Sequence, residues 1–256
     1  MAGSDGAMAL NTPHVLVVAG SDSSGGAGIV RDIETVAAFG LRACLAVTAV
    51  TVQTHAAATR VETCAAGLVE EQMRAALEAN RVSAIKIGML GERDVVGCVA
   101  SVLAAHGSVP AVLDPVIATS SGRPLLSDDA LDLLRGALMP LCALLTPNLP
   151  ELAILAEGPP AHDEAEIHAQ ARQLLDAGAP AILVKGGHGL GRRAVDVLIR
   201  ADEAPLRFEG PRLTGTMRGT GCMLASAIAA GLARGKGLEE SIKAAKTHVA
   251  ERWDGV

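Results

Sequence analysis

The chain has 256 residues, of which 50% are hydrophobic and 20% charged, and its formal net charge is −6. This length fits one large α/β domain or two small ones, and the apolar fraction excludes an intrinsically disordered chain. No stretch approaches the roughly 20 uninterrupted apolar residues that a membrane-spanning helix needs. An acidic chain without basic runs argues against nucleic acid as the main partner. We therefore expect a globular protein that binds neither membrane nor nucleic acid.

Aromatic residues and cysteines narrow the class further. Aromatic residues make up only 1% of the chain, with no Tyr, so the core must consist of aliphatic side chains. The number of cysteines is odd and none form a C-x-x-C pair, which disfavours both a disulfide framework and a structural zinc site: they are Cys44, Cys64, Cys98, Cys142 and Cys222. This usage predicts a reduced chain in the cytoplasm.

Short apolar runs rich in β-branched residues alternate with segments of helical period. The predicted strands are His14–Ala19, Ala43–Val52, Ala84–Ile87, Ala111–Leu113, Ala143–Leu145 and Ala181–Val184. Apolar residues at helical spacing indicate helices between them, for example from Ile167 to Leu175, with Gly178 where a helix would end. This alternation predicts parallel βαβ units, and the continuous apolar strands predict helices on both faces of the sheet.

Two segments of the chain depart from that alternation. Two short runs, Val195–Ile199 and Leu206–Phe208, flank a polar turn and predict an antiparallel hairpin at the sheet edge. Residues 1–13 hold no basic residue and no long apolar run, so we expect a flexible leader rather than a signal peptide. No linker interrupts the rest, which predicts a single domain over residues 14–256.

The chemically unusual residues follow the predicted strands. Ligands of open α/β sheets bind beyond the carboxyl ends of the strands, so these clusters indicate a site at one rim. The clusters are Gly20–Gly28, Gln53–His55, Gly88-Met89, Asp114-Pro115, Thr146–Glu151 and Lys185–His188.

Standard phosphate-binding fingerprints do not match this chain. The first loop resembles a P-loop as far as Gly25, but Gly26 and Ala27 stand where Lys and Ser or Thr are required. Dinucleotide fingerprints fail as well, because Arg31 and Leu224 occupy positions that require glycine. A nicotinamide or flavin enzyme is therefore disfavoured.

A second glycine motif, Gly219–Cys222, precedes a run of small residues with helical character. Glycines before a helix let backbone N–H groups converge on an anion, and the helix dipole adds positive potential there. We expect this position to lower the pKa of the Cys222 thiol, which could then act as a base toward a substrate hydroxyl. A tight turn with a small buried cysteine explains the segment equally well.

Seven ordered motifs together resemble the hydroxymethylpyrimidine/phosphomethylpyrimidine kinases of thiamine biosynthesis, members of the ribokinase-like superfamily. They are Ala19–Ile29 with Asp32, Thr48–Gln53, Lys86–Leu90, Leu113–Val116, Thr146–Glu151, Lys185–His188 and Gly219–Cys222. The resemblance implies a three-layer α/β fold with a mostly parallel sheet. It also implies transfer of the ATP γ-phosphoryl group to 4-amino-5-hydroxymethyl-2-methylpyrimidine and then to its monophosphate.

The resemblance assigns an acceptor-binding group. Gln53 matches the residue that hydrogen-bonds the aminopyrimidine, a task that suits an amide because it both donates and accepts. Gly20 would let the ring approach the backbone, and Met89 would cover the ring. Asp32, in the first helix, could face the substrate.

The resemblance assigns a second group to the nucleotide. Asp114 and Glu151 match positions around Mg²⁺, an ion that prefers oxygen ligands and keeps part of its water shell. The nucleotide-binding residues would be Asn148, Lys185, Arg218 and Thr220. Cys222 takes the catalytic position with Gly219 and Gly221. Asn148 and Glu151 also fit a helix-capping pair, and the two roles can coexist. Arg218 stands where the family often has His.

Three other functions are compatible with part of these motifs. A pyridoxal-type kinase of the same superfamily shares the Gly-Thr-Gly-Cys motif, and the Gln53 segment favours the pyrimidine kinase over it. A catalytically silent pyrimidine-binding module would not need Asp114, Lys185 and Cys222 intact. An acyl transferase with Cys222 as nucleophile lacks an identifiable base. The resemblance further implies a homodimer.

Overall fold

The structure is a computed structural model that describes residues 12–119, 122, 124–186 and 193–253. Its strands are β1 (His14–Ala19), β2 (Arg42–Val47), β3 (Ala49–Gln53), β4 (Ala58–Thr63), β5 (Val82–Ile87), β6 (Ala111–Leu113), β7 (Leu144–Leu145), β8 (Ala181–Val184), β9 (Arg193–Arg200) and β10 (Leu206–Pro211). Its α-helices are α1 (Gly28–Ala38), α2 (Ala66–Ala79), α3 (Arg93–Ala105), α4 (Asp128–Leu133), α5 (Leu149–Leu155), α6 (Glu164–Asp176), α7 (Thr220–Ala233) and α8 (Leu238–Glu251).

One eight-stranded sheet organises the molecule, in the order β10-β9-β8-β7-β6-β5-β1-β2. The pairs from β2 to β8 are parallel, whereas β9 and β10 run antiparallel at the edge. The predicted edge hairpin is confirmed, with Phe208 paired to Asp196. Since every parallel strand ends at the same rim, the polar segments that follow these strands meet there.

Two hydrophobic cores lie on opposite faces of the sheet, so the fold has three layers. In β1 the side chains of Leu16 and Val18 enter one core, and those of Val15 and Val17 enter the other. Helices α2, α3 and α6 cover the first core, while α1, α7 and α8 cover the second. The prediction of helices on both faces is confirmed, and it followed from strands whose residues are apolar on both sides.

The predicted strand Ala43–Val52 is wrong as a single element. The chain breaks at Thr48, whose hydroxyl donates to the carbonyl oxygen of Met89 at 2.6 Å, and continues as β3. Strands β3 and β4 then form a separate two-stranded antiparallel sheet. Strand β4 was not predicted, because its mixture of exposed and half-buried residues carries little apolar signal. Gln53, the last residue of β3, therefore belongs to this smaller sheet.

Helix ends follow the expected chemistry in two places. Gly178, at φ +102°, adopts the left-handed conformation just after α6, as predicted for a helix terminus. Helix α5 begins at Leu149, and Asn148 caps it. Helix α4 continues as a π-helical turn over Leu134–Leu138. Within the described ranges, no helix combines the length and apolar character needed to cross a bilayer.

Close packing of α7 against α8 depends on Gly231. A Cβ atom at this position would lie 2.5 Å from Oγ and 2.7 Å from Cβ of Ser241. For Gly231→Ala, the gain in helix propensity is about 1 kcal/mol, and the overpacking costs about 1–3 kcal/mol. We expect a net decrease in the free energy of unfolding, measured by urea denaturation.

Gly97→Ala is the matched control, because Gly97 also lies inside a helix. There an added Cβ would meet only Leu133 Cδ2, at an ordinary 3.5 Å. This variant should be as stable as the wild type or more stable. Equal destabilisation by both substitutions would contradict the packing argument.

Candidate active site

A cavity of about 1530 Å³ opens at the rim where the parallel strands end. The loops after β1, β5, β6, β7 and β8 contribute to its wall, together with the end of β3 and the start of α7. Apart from Asp32, every residue that the sequence analysis placed in the site lines this cavity: Gly20, Gln53, Met89, Asp114, Asn148, Glu151, Lys185, Arg218, Gly219, Thr220, Gly221 and Cys222. The fold thus brings together segments that are far apart in the sequence.

Gln53, Gly20 and Met89 form one side of the cavity. Ser23 holds Gln53 at the backbone, since the Ser23 hydroxyl oxygen lies 2.7 Å from the Gln53 nitrogen and 2.8 Å from its carbonyl oxygen. A Cβ atom at Gly20 would lie 3.2 Å from the Met89 sulfur, so the glycine leaves room beneath this buried side chain. Gly20 and Met89 thus form a small apolar surface next to the Gln53 amide group.

Lys185, Asp114 and Glu151 form a second side of the cavity. Lys185 Nζ lies 2.8 Å from Asp114 Oδ1 and 3.7 Å from Glu151 Oε2. Glu151 is fixed by a capping box at the start of α5: its carboxylate accepts the Asn148 N–H at 2.8 Å, and its own N–H donates to Asn148 Oδ1 at 2.8 Å. The capping interpretation of this pair is therefore confirmed. It leaves the Glu151 carboxylate on the cavity wall.

Burial and the lysines set the charges on this side. Burial opposes ionisation of Asp114, but the ammonium groups of Lys185 and Lys86 outweigh it and lower the pKa of Asp114. Burial raises the pKa of Glu151, helped by the neighbouring Asp114 and opposed by Lys185. Although burial acts against its charge, Lys185 has a raised pKa because the two carboxylates stabilise the cation. A permanent positive charge therefore faces the cavity at this point.

The Gly219–Cys222 segment places the N-terminus of α7 at the centre of the site. Gly219 caps the helix at φ +73°, where an added Cβ would lie 2.5 Å from the carbonyl oxygen of Gly26. At Gly221, an added Cβ would lie 3.2 Å from Lys185 Nζ and 3.4 Å from Asp114 Oδ2. The first-turn N–H groups have no acceptor within the helix. Because both positions are glycine, no side chain comes between the first-turn N–H groups of α7 and the Lys185 ammonium.

The prediction that the helix position lowers the pKa of Cys222 is wrong. Burial raises the pKa of this thiol to about 11, and the carboxylates of Asp32 and Asp114 act in the same direction. Lys86 and the backbone N–H of Gly28 favour the thiolate but do not outweigh the loss of water. With no anion bound, Cys222 is a neutral thiol at physiological pH.

Asp32 does not line the cavity. It is completely buried in α1, where its Oδ2 accepts from Lys86 Nζ at 3.0 Å and its Oδ1 accepts from the Ser226 hydroxyl at 2.7 Å. The expectation of a direct substrate contact therefore fails, because protein atoms surround the carboxylate. Lys86 belongs to the motif Lys86–Leu90, but the sequence analysis assigned it no role. The signal was a lysine within the apolar run of β5.

Arg218 lies among the loops on the Gln53 side of the cavity. Its guanidinium donates to Asp22 Oδ2 at 3.0 Å, to Ser24 Oγ at 2.8 Å and to the carbonyl oxygen of Thr54 at 3.0 Å. These bonds join the first glycine loop, the end of β3 and the residue before the α7 cap. If Arg218 binds the nucleotide as predicted, it must use guanidinium N–H groups that these three hydrogen bonds do not occupy. Gly187 and His188 of the Lys185 motif lie outside the described residues.

The donor set suits a phosphorylated ligand with its accompanying cation. Within the described part of the chain, no three His, Cys, Asp or Glu side chains gather into a metal site. Mg²⁺ that travels with a nucleotide needs only one or two carboxylates, since phosphate oxygens and water supply the other ligands. Asp114 and Glu151 fit that requirement.

Comparison with known proteins agrees with this geometry. The family model described as phosphomethylpyrimidine kinase matches residues 22–254. A hydroxymethylpyrimidine/phosphomethylpyrimidine kinase of Rhizobium meliloti is 42% identical over 93% of this chain and 89% of its own length. The enzyme of the same name from Escherichia coli is 39% identical, over 91% of this chain and 88% of its own.

Solved structures show the same fold. A phosphomethylpyrimidine kinase from Clostridium difficile matches with a TM-score of 0.80 at 30% identity, over 94% of this chain and 98% of its own. A Staphylococcus aureus pyridoxal kinase, in complex with AMP-PCP and pyridoxal, matches with a TM-score of 0.84 at 27% identity, over 93% and 87%. With a family match over nearly its whole length, the chain belongs to the phosphomethylpyrimidine kinase family.

Proposed function

We propose that this protein transfers the γ-phosphoryl group of ATP to the hydroxymethyl group of 4-amino-5-hydroxymethyl-2-methylpyrimidine, and then a second one to the monophosphate, in thiamine biosynthesis. One observation carries the proposal. The amide of Gln53 and the Lys185–Asp114 pair face a single cavity, with the start of α7 in its wall. Relatives that are 42% and 39% identical to this chain carry the names of both reactions.

The acceptor binds on the Gln53 side. The amide can donate to a ring nitrogen and accept from the exocyclic amino group, which is the pattern an aminopyrimidine presents. Met89 and Gly20 offer an apolar surface to the flat ring. This arrangement directs the hydroxymethyl group of the ring toward Gly219–Cys222.

Transfer takes place between the acceptor and the start of α7. The acceptor oxygen forms a bond to the γ-phosphorus, the bond from that phosphorus to the β-phosphate oxygen breaks, and its electron pair stays on ADP. The first-turn N–H groups of α7 and the Lys185 ammonium stabilise the negative charge of the transferring group. Because Cys222 is protonated, the hydroxyl proton passes to an oxygen of the transferred phosphoryl group rather than to a thiolate.

Mg²⁺ completes the nucleotide side in this proposal. When bound, the ion neutralises charge on the phosphates. Asp114 and Glu151 would hold it, directly or through water. Asn148 keeps the Glu151 carboxylate in place through the capping box. The nucleotide contacts of Lys185, Thr220 and Arg218 belong to the same proposal.

We extend the proposal to the assembly and its location. A homodimer is consistent with the exposed apolar side chains of the small sheet, Val50 and Val52, which are 54% and 55% exposed. All five cysteines are free in the structure, as expected for a cytoplasmic protein. Light scattering at several protein concentrations would test the dimer, and cell fractionation would test the location.

The proposed reaction is tested by measuring ADP release from Mg-ATP with each of three acceptors: hydroxymethylpyrimidine, its monophosphate and pyridoxal. We expect release with both pyrimidines, and pyridoxal serves as the acceptor of the alternative kinase. ADP with pyridoxal alone would replace the proposal by a pyridoxal kinase. Tight pyrimidine binding without ADP from any acceptor would indicate a silent binding module.

Gln53→Ala should raise KM for the pyrimidine by roughly 10-fold and leave KM for ATP near the wild-type value, because only the acceptor loses a hydrogen-bonding partner. The measurement is steady-state kinetics with each substrate varied in turn. Gln173→Ala, an exposed glutamine on α6, is the control. An equal rise in both KM values would remove Gln53 from the acceptor site.

Cys222 should react slowly with iodoacetamide at neutral pH, because only the thiolate is nucleophilic and the pKa of this thiol is raised to about 11. The rate of labelling, read at the Cys222 peptide by mass spectrometry, should keep rising from pH 8 to pH 10. Cys222→Ser provides the blank. A rate that levels off below pH 8 would show a thiolate in the resting enzyme.

A further inference from the structure

Lys86 is a buried cation that no step described above uses. It lies near the end of β5 with no exposed surface, two residues before Gly88. Its Nζ lies 2.9 Å from Asp32 Oδ1 and 3.0 Å from Asp32 Oδ2, and Ser226 donates to the same carboxylate at 2.7 Å. These three side chains come from β5, α1 and α7.

A buried ion pair of this kind is poor evidence of a purely stabilising role. Removing two charges from water costs several kcal/mol per ion by rough estimate, and well-packed apolar residues of similar volume often stabilise a protein as well or better. A fold with two apolar cores has no evident need of the Lys86–Asp32 pair for its stability. We therefore examine the position of the pair in the fold for a role other than stability.

The positive end of the pair lies next to the cavity, although Lys86 itself is buried. Lys86 belongs to the cavity wall, whereas Asp32 lies behind it. At Gly88, an added Cβ would lie only 2.8 Å from Lys86 Nζ, so the glycine keeps the space next to the ammonium free of a side chain. An ammonium has three N–H donors, and Asp32 offers two oxygens. At least one N–H therefore remains for another acceptor.

The surroundings keep this lysine charged and couple it to the reaction centre. Burial acts against its charge, but Asp32 outweighs burial, with help from Asp114, and the pKa of Lys86 is raised. Lys185 carries a second cation, which is half-buried and paired with Asp114. The two ammonium groups come from different strands, β5 and the end of β8, and both face the start of α7.

We propose that Lys86 is the acceptor-side cation of the phosphoryl transfer, held toward the cavity by Asp32 and Ser226, just as Lys185 is the nucleotide-side cation. This role rests on the proposed kinase function. As the acceptor oxygen attacks, the Lys86 charge stabilises the negative charge that the oxygen and the incoming phosphoryl group share. Lys86 is not a base: the hydroxyl proton still passes to the phosphoryl group, and the leaving electron pair still stays on ADP.

The decisive variant replaces both members of the pair by apolar residues, Lys86→Met/Asp32→Leu. It leaves no unpaired charge in the core, so it should unfold at a urea concentration close to that of the wild type. We expect kcat to fall by about 100-fold, the effect of losing one preorganised donor, while KM for the pyrimidine and for ATP stay near wild type. Lys243→Met, an exposed lysine on α8, is the control.

Three results are decisive. A folded double variant with wild-type kcat would overturn the role, since the pair would then be structural. A rise in KM with unchanged kcat would also overturn it, because Lys86 would act only in binding. If instead the wild-type protein releases no ADP with any acceptor, the proposed function itself fails and the role of Lys86 falls with it.

Chemical rescue supplies a second, independent measurement. Lys86→Ala leaves a gap beside Asp32 that a small ammonium ion can occupy. Added methylammonium should restore part of the lost kcat, whereas K⁺ at the same concentration should not, and neither should accelerate the wild type. A folded Lys86→Ala enzyme that methylammonium leaves unchanged would contradict the proposal.

Discussion

Close backbone contacts within and between two glycine segments, Gly20–Gly28 and Gly219–Cys222, are the constraint on which the whole site depends. A Cβ at Gly28 would lie 2.4 Å from the carbonyl oxygen of Gly20, and one at Gly219 would lie 2.5 Å from that of Gly26. No side chain fits at either place, since contacts under 3 Å require the backbone to shift. These two contacts bring the N-termini of α1 and α7 together above β1.

Charge is the second constraint on this site, because several carboxylates line one partly buried cavity or lie just behind it. Four aspartates among them are each paired with a cation that comes from a different element: Asp22 with Arg218, Asp32 with Lys86, Asp114 with Lys185 and Asp196 with Lys246. Pairing of this kind is what makes burial of a carboxylate tolerable. It also fixes the relative positions of the loops, because each pair crosses from one element to another.

The sequence was sufficient for the main sheet and most of the cavity wall, because both depend on local signals. Continuous apolar strands flanked by helical periods determine a parallel sheet, and a parallel sheet determines which loops meet. The small sheet was missed because β4 alternates polar and half-buried residues, and its partner strand was read as the end of β2. The break at Thr48 depends on a hydrogen bond to Met89, far along the chain.

The two errors in the site have a common physical origin. Asp32 and Cys222 were assigned by motif, which places a residue on an element but says nothing about its surroundings. Whether Asp32 meets a ligand or a lysine depends on Lys86 and Ser226, which are 54 and 194 residues away in the sequence. Whether the thiol of Cys222 ionises depends on the balance between burial and these same charges. Such balances exist only in the folded chain.

The separate β3–β4 sheet has a consequence for how such an enzyme can change. Gln53 stands at the end of β3 and is attached to the first glycine loop through Ser23, whereas Lys185, Asp114 and Glu151 follow strands of the main sheet. The proposed hydrogen-bonding partner of the acceptor and the proposed phosphate-binding residues thus belong to different sheets. Substitutions in the small sheet can therefore adapt the enzyme to another vitamin precursor without changing the residues proposed to bind the phosphates.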